Sequence, residues 1–377
     1  MSTISRRKVL ITGGAGFIGS HTADELEKRG YKIRILDNLN PKTHFNGWPA
    51  WVRPSWEKIK GDVRSRATMV RALKGVDYVI HLAAMMDLMP VYSQFMDTNV
   101  TSTALIYELI AEKKLPIKKV IVASSQFVYG EGRGRCKIHG VVNCEMRREE
   151  NLKRGKWQPV CPSCGKEVVS LKLVETHQDP ANQYSISKYA QEMIALKLGR
   201  LNNIPSVAMR YSIVHGPRQS LKDAYSGALR IFTLQMLLGR TPSIYEDGGQ
   251  LRDYVSVYDV ARANALVLED ERADYENFNV GGGKGITVLN LAKMIAAEVG
   301  WKEKLTANGE YRVGDIRDAV SDISKLQSLG WKVQMTEGEV VKEYISGVRE
   351  QKLDKDYAKE AEEQMKKAGV IRRSGVK

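Results

Sequence analysis

The sequence predicts an α/β fold: a doubly wound parallel sheet with a smaller mixed α/β region and an inserted cysteine-bearing segment. Three observations carry this. Apolar runs of β type alternate with helical patterns and short connections along residues 8–125, the rhythm of strand–helix–strand units. The first run, Lys8 to Thr12, breaks into glycines at positions 13, 16 and 19 and then into a helical pattern. All four cysteines fall between residues 136 and 164.

The elements follow in order. Ile18, Thr22 and Leu26 share a helix face that ends near Gly30. A second strand over Tyr31–Leu36 closes on Asp37. Asn38 to Glu57, with Trp48, Trp51 and Trp56, reads as a long loop over the ligand side or as a local aromatic packing cluster. Lys58 to Val63 is a short strand with an acidic end at Asp62, Ala67–Lys74 a helix, Val76–Ala84 a strand, Val91–Lys113 a long helix and Lys118–Ser125 a strand. The later half has a looser rhythm. It predicts a strand at Pro205–Arg210 and helices at Tyr225–Leu238, Asp259–Glu269 and Val288–Val299. From these patterns we expect a dinucleotide-binding domain over residues 1–209, an interleaved second domain over 210–336, and a charged helical tail over 337–377 whose Lys/Glu-rich stretch Lys359–Lys367 is solvent-exposed.

Composition narrows the class. The chain has 377 residues, 43% hydrophobic and 27% charged, as in globular proteins. No apolar run approaches ~18 residues, and the start lacks the apolar core of a signal peptide, so the expectation is a cytoplasmic protein without a membrane span. The net charge of +14 comes from scattered Lys and Arg. A solvated basic surface or steering of an anionic nucleotide substrate accounts for it better than a nucleic-acid partner, because no basic block is interleaved with aromatics.

The glycine stretch carries the first functional signal. Glycines let the backbone turn tightly against a pyrophosphate, and the next helix aims its N-terminal N–H groups at the anion. A carboxylate at the end of the second strand, Asp37, binds both ribose hydroxyls and repels a 2′-phosphate, which selects NAD over NADP. The second signal is Tyr184-Ser185-Ile186-Ser187-Lys188, where Tyr184 and Lys188 share one face of a helix. An ammonium beside the phenol is expected to lower its pKa from ~10. Tyr184 then serves as general base on a sugar hydroxyl while hydride leaves the same carbon, with Ser125 hydrogen-bonding the same oxygen.

Thr12–Gly19, Asp37, Asp62-Val63, His81–Ala84, Asn99-Val100, Ser124–Gly130, Tyr184–Lys188, Gly216-Pro217-Arg218, Arg252–Val255 and Arg312-x-Gly314-Asp315 together resemble the successive motifs of the extended short-chain dehydrogenase/reductases. More narrowly, they are similar to those of the nucleotide-sugar epimerases and dehydratases, over about Lys8 to Trp331. The resemblance implies a Rossmann-like fold and a homodimer built through the helices at 91–113 and 183–201. It implies that Gly13, Gly16, Phe17, Ile18, Gly19, Asp37 and Asn38 hold the dinucleotide. Asp62 and Val63 sit by adenine, and Leu82, Ala83, Ala84, Asn99, Tyr184 and Lys188 complete the NAD site. Ser125, Gln126, Arg218, Arg252, Arg312 and Asp315 face a UDP- or dTDP-linked sugar; the arginine forks suit its diphosphate.

Two departures bear on the reaction. Dehydratases of this family carry an acid pair after the catalytic hydroxyl, and decarboxylating relatives a glutamate; here Gln126 and Phe127 follow Ser125, and neither moves a proton. What remains is a 4-epimerase: oxidation at C4, rotation of the keto sugar, and hydride return to the other face. A 4,6-dehydratase or reductase is the alternative, and a non-catalytic NAD- or nucleic-acid-binding protein a more distant one. The second departure is Ile213, where many relatives carry a substrate-binding asparagine.

The spacing between Tyr129 and Tyr184 exceeds what relatives need, and the extra residues, 131–176, hold two matching knuckles. Cys136-Lys-Ile-His139-Gly140 mirrors Cys161-Pro-Ser-Cys164-Gly165. Two such pairs make a tetrahedral Cys3His zinc site of the structural kind, with Cys144 able to replace His139; reduced cysteines in a loop are the alternative. Because the insertion leaves just after Ser125 and returns just before Tyr184, it is expected at the pocket rim as a lid or subunit contact. Insertions of this kind resemble those of deoxysugar-nucleotide 4-epimerases such as the dTDP-rhamnose 4-epimerases.

Overall fold

The computed structural model describes residues 7–41, 43–44, 47–86, 91–221, 227–350 and 357–375. The first half supplies strands β1 (Lys8–Thr12), β2 (Lys32–Asp37), β3 (Glu57–Lys60), β4 (Tyr78–His81) and β5 (Lys119–Ser125). The insertion supplies β6 (Arg133–Cys136), β7 (Gly140–Asn143) and β8 (Val169–Ser170). Then come β9 (Ser206–Tyr211), β10 (Ile213–His215), β11 (Leu251–Ser256), β12 (Asn277–Val280), β13 (Gly285–Thr287), β14 (Glu310–Arg312), β15 (Asp318–Ala319) and β16 (Ile371–Arg373).

Seven strands form the main sheet in the order β12-β9-β5-β4-β1-β2-β3, every neighbouring pair parallel. Its apolar runs are continuous because both faces are covered. Val9 and Ile11 pack into one layer and Leu10 into the other; Ile35 and Leu36, and Ile121 and Val122, divide the same way. The strand order reverses between β1 and β4, so the carboxyl ends of β1, β2, β4 and β5 open on one crevice, where doubly wound sheets bind ligands. The short extents of β3 and β4 leave Asp62-Val63 and Leu82–Ala84 in loops beyond those ends.

The helix Phe17–Lys28 follows β1 and is fastened to the helix Val257–Glu269 by the Asn264 amide donating to Thr22 Oγ1 at 3.1 Å. The long helix expected from Val91 runs from Tyr92 to Lys113 but widens into a π-helical stretch at Met96–Thr101. Such stretches often mark functional sites, and this one carries Asn99. The tryptophan segment is both things that its composition suggested. Trp56 is in the core, Trp48 and Trp51 pack against it, and the Trp51 indole donates to the Ala15 carbonyl of the glycine loop at 3.0 Å.

Beyond the main sheet, β11 pairs with β10 and β15 in parallel and with β13 antiparallel. The helix Ala228–Leu237 packs nearby; the first two residues of the helix expected from Tyr225 lie outside the described residues. The charged tail is helical, and its two helices differ in burial. Helix Glu337–Arg349 is not a solvated appendage: Val340, Val341, Tyr344, Ile345 and Val348 are buried in the core of the second region. Helix Tyr357–Lys367 is largely exposed, but Met365 is buried, and β16 returns to pair antiparallel with β14. The insertion forms a small antiparallel sheet, β7-β6-β8. No helix among the described residues is long and apolar enough to cross a membrane.

Candidate active site and metal centre

The glycine loop joins β1 to the helix Phe17–Lys28. A Cβ on Gly19 would lie 2.2 Å from the Gly13 carbonyl oxygen, and one on Gly13 2.9 Å from the Ala83 nitrogen. Helix, loop and the β4 end therefore approach too closely for any side chain at either position. Gly16 caps the helix without a side-chain hydrogen bond, and the first turn, beginning Phe17-Ile18, holds no acidic residue. Its N–H groups thus lack a protein anion, as a dinucleotide phosphate requires.

Asp37 is buried at the end of β2. Its Oδ2 accepts from the Ala15 N–H at 3.1 Å and its Oδ1 from the Leu39 N–H at 2.9 Å. Asp62 is held below the usual carboxylate range, chiefly by the Arg64 guanidinium, with help from Asn38. At the end of β4, Thr12 accepts from the Ala83 N–H at 3.2 Å, and its hydroxyl meets His81 Nδ1 at 2.7 Å. Burial drops His81 to about 3, so it is a neutral link between Thr12 and Ser102. Asn99 binds the backbone of Met85 in both directions and donates to Ser187 Oγ at 2.9 Å, joining the segment after Leu82–Ala84 to the helix Gln183–Leu201.

Helix Gln183–Leu201 opens with a capping box, Asn182 with Ser185, which fixes the rotation of its first turn. Tyr184 is hydrogen-bonded to Ser125 at the end of β5 and flanked edge-on by Phe127 at 6.2 Å and Phe95 at 6.4 Å. Lys188 is buried; its Nζ donates to the Ala123 carbonyl at 3.0 Å and Gln191 Oε1 at 2.9 Å, and sits 6.0 Å from the Tyr184 ring centre. The three expected catalytic groups therefore converge, but their protonation differs from expectation. Burial pushes the Tyr184 phenol up to about 12 with only Ser125 opposing it, and burial pulls Lys188 down to about 7. Desolvation by burial sets both directions, in place of the acidification that a neighbouring ammonium was expected to give. Gln126 is buried beside Ser125, and its Oε1 accepts no hydrogen bond from the described residues. Phe127 turns its ring edge-on to Tyr184, so the two residues that follow Ser125 bring no acid to the hydroxyl pair.

In the second region, Arg252, Arg312 and Asp315 meet. Arg252 Nη2 lies 3.2 Å from both Asp315 oxygens and donates to the Ile316 carbonyl at 2.9 Å, while Nη1 donates to the Arg317 carbonyl at 2.8 Å. Arg312 lies 5.2 Å over the Tyr245 ring, and its Nε is buried without a hydrogen-bond partner among the described residues. Burial alone would raise Asp315; the guanidiniums of Arg252, Arg312 and Arg147 overcome it and hold the carboxyl below its usual range. Arg218, expected with them, is elsewhere: it pairs with Asp24 of the glycine-loop helix at 2.8 Å. Ile213 is half-buried in β10 against apolar neighbours and brings no polar group.

In the insertion, Cys136, His139, Cys161 and Cys164 place their donor atoms within 4.8 Å of one another. The Cys136 and Cys164 sulfurs are 3.8 Å apart, and His139 Nδ1 is 3.8 Å from Cys136 and 3.4 Å from Cys161. Donors about 2.0–2.3 Å from one ion would have such separations. The knuckle glycines, Gly140 and Gly165, have φ of +69° and +68°, the same turn made twice. Cys144 is not in the group: it is buried beside it, its thiol pushed up to about 11 by burial.

Fold and site define a dinucleotide-binding α/β enzyme with a hydroxyl pair at a strand end. The model of the NAD dependent epimerase/dehydratase family matches residues 9–152 and 164–281, and the chain belongs to that family. It is 30% identical over 340 residues to a dTDP-L-rhamnose 4-epimerase of Burkholderia thailandensis, covering 88% of this chain and 92% of that one. It is 32% identical over 349 residues to a putative UDP-glucose 4-epimerase of Methanocaldococcus jannaschii, covering 90% and 98%. Among solved structures it resembles a Thermotoga maritima UDP-glucose 4-epimerase with UDP-glucose, at a TM-score of 0.74 and 29% identity, covering 91% of this chain and 99% of that one. A Methanobrevibacter ruminantium UDP-N-acetylglucosamine 4-epimerase gives 0.74 and 27%, over 92% and 99%.

Sequence reasoning missed Arg147, Glu131, Glu246 and Arg317, which surround the Asp315 loop. No motif marks them, because their partners are distant in sequence.

Proposed function

We propose that this chain is an NAD-dependent nucleotide-sugar 4-epimerase whose substrate is a UDP- or dTDP-linked sugar. The observation that carries this reading is the Ser125–Tyr184 hydroxyl pair with Gln126 and Phe127, not acids, beside it. Bound NAD supplies reversible hydride acceptance at the sugar's C4. Gly13, Gly16, Gly19 and the Phe17-Ile18 turn hold the pyrophosphate, and Asp37 with Asn38 holds the adenosine ribose. Asp62 and Val63 border adenine, and Leu82, Ala83, Ala84 and Asn99 line the remaining length. Tyr184 takes the proton of the C4 hydroxyl and returns it. Ser125 hydrogen-bonds the same oxygen, and Lys188 orients the nicotinamide ribose. Its protonation opposite the ribose and beside the phenol favours phenolate, reversing the burial effect. Arg252 and Arg312 bind the diphosphate, the unpartnered Arg312 Nε suiting an anion. The keto sugar, anchored by its diphosphate, turns over and accepts hydride on its other face.

The Cys136, His139, Cys161, Cys164 set holds a structural zinc, because four protein donors leave no open position for catalysis. Three ligating thiols and one buried thiol fit a reducing compartment such as the cytoplasm. Tyr92, Ile186, Met193 and Leu201 are exposed apolar residues on the helices expected to pair two copies, which supports a homodimer.

Incubation with UDP-, dTDP-, GDP- and CDP-sugars, with products read by NMR, tests the function. The expected result is a mixture of C4 epimers of a UDP- or dTDP-sugar without net NADH. A stable 4-keto product, or NADH consumed in proportion to product, would instead assign a dehydratase or reductase. Cys161→Ser is expected to lower bound zinc from about one per chain to near zero by metal analysis.

A further inference from the structure

The insertion was expected to be a lid or a subunit contact. Its bonds are those of a buttress. Leu173, on its return, donates to the Val320 carbonyl at 2.8 Å and accepts from the Asp322 N–H at 2.9 Å, and Ser170 Oγ donates to Asp318 at 2.8 Å. These tie it along the segment that follows Asp315. Its core contact is Arg147, only 2% exposed. Arg147 donates to the Asp315 carbonyl at 2.9 Å and the Trp157 carbonyl at 3.0 Å, and pairs with Glu246 at 2.9 Å and Glu131 at 3.5 Å. Glu131 accepts from the Arg317 N–H at 2.7 Å. On the other edge of the same arm, β16 pairs with β14, placing Ile371 beside Arg312, and Gly375 donates to the Lys153 carbonyl of the insertion at 2.9 Å. Insertion, arm and C-terminal strand therefore close into one ring of contacts around the arm.

We propose that Arg147 is a positioning residue for the nucleotide diphosphate: from the insertion, with β16 bracing the opposite edge, it fixes the Arg312–Arg317 arm so that Arg252 and Arg312 present their guanidiniums to the diphosphate oxygens. This rests on the assignment of those two arginines under Proposed function. Arg252 spends three of its hydrogen bonds on carbonyls of this chain, two of them in the arm, so its direction is set by the arm's position. A planar fork satisfies two carbonyls and two carboxylates together; a lysine at position 147 keeps the charge and loses that geometry.

The test is binding of UDP and dTDP to the full-length protein by calorimetry, with steady-state kinetics on the accepted sugar. The proteins are wild type, Arg147→Met, Arg147→Lys and a chain lacking residues 370–377. Arg147→Met is expected to raise Kd and KM about tenfold to a hundredfold, the scale of a misplaced binding group, with kcat within about twofold and bound NAD unchanged. Arg147→Lys is expected to fall between it and wild type, and the shortened chain to shift KM in the same direction. If Arg147→Met does not fold, the shortened chain decides. Unchanged KM in the folded variants, or a fall in kcat alone, overturns the proposal. Wild type that binds neither UDP nor dTDP overturns the diphosphate assignment, and this proposal with it.

Discussion

The residues proposed to hold NAD and those proposed to hold the sugar nucleotide are built differently. On the side proposed to hold NAD, the contacts span fewer residues: 22 from Ala15 to Asp37, 71 from Thr12 to Ala83 and 88 from Asn99 to Ser187. On the substrate side, Arg147 reaches Asp315 across 168 residues, Arg317 reaches Glu131 across 186, and Arg372 pairs with Glu149 across 223. The first kind of site is a motif, set by local turns and one strand order. The second is an assembly, in which the binding groups sit where several distant elements agree. Changes on the cofactor side should act locally, and changes on the substrate side at a distance.

The largest effect expected is on turnover. Tyr184→Phe removes the proton-transferring group and should lower kcat about 10²- to 10⁴-fold while bound NAD, measured after denaturation, is retained. A parallel loss of NAD would mean that the phenol serves the cofactor side structurally. Next is the buried helix of the second region. Ile345→Ala empties a fully buried position and should cost about 2–5 kcal/mol by denaturant unfolding. A near-zero cost would mean that this helix does not pack into the core of the second region.

Gly19→Ala tests the local side. The added Cβ, 2.2 Å from the Gly13 carbonyl, should strain the loop by about 1–3 kcal/mol and weaken NAD binding about tenfold or more, with zinc content untouched. The smallest effect is on pH dependence. Lys188 titrates near 7 when folded, whereas an unfolded lysine keeps its proton to ~10.5. The unfolded chain thus binds more protons between these values, and stability from this group rises with pH from about 7 to about 10. In cofactor-stripped protein, Lys188→Met should flatten that rise in thermal melts; an unchanged slope would place its origin in other groups.

What the sequence made legible follows the same division. Glycine spacing, Asp37, Tyr184–Lys188 and the paired knuckles were readable because the chemistry requires fixed residue types at short separations. The parallel, doubly wound sheet followed from strand–helix alternation, whereas its strand order did not. The protonation of Tyr184 was not readable, because it depends on desolvation by Phe95, Phe127 and their surroundings. The partner of Arg218 was not readable, because a motif fixes a position in the chain and not the carboxylate that Asp24 offers nearby. The buried face of Glu337–Arg349 did have a signal: Val340, Val341, Tyr344, Ile345 and Val348 recur at helical spacing, behind a Thr336–Glu339 capping box. Its charged surface hid that stripe. The Arg147 cluster and the β14–β16 pairing had no short-range signal at all.

The most direct test of the chemistry is a substrate carrying deuterium at C4, incubated in ordinary water. If Tyr184 moves only the hydroxyl proton and the hydride returns to the carbon it left, the label is found at C4 of the epimerised product without loss. Label lost to water, or recovered at another carbon, would contradict the account.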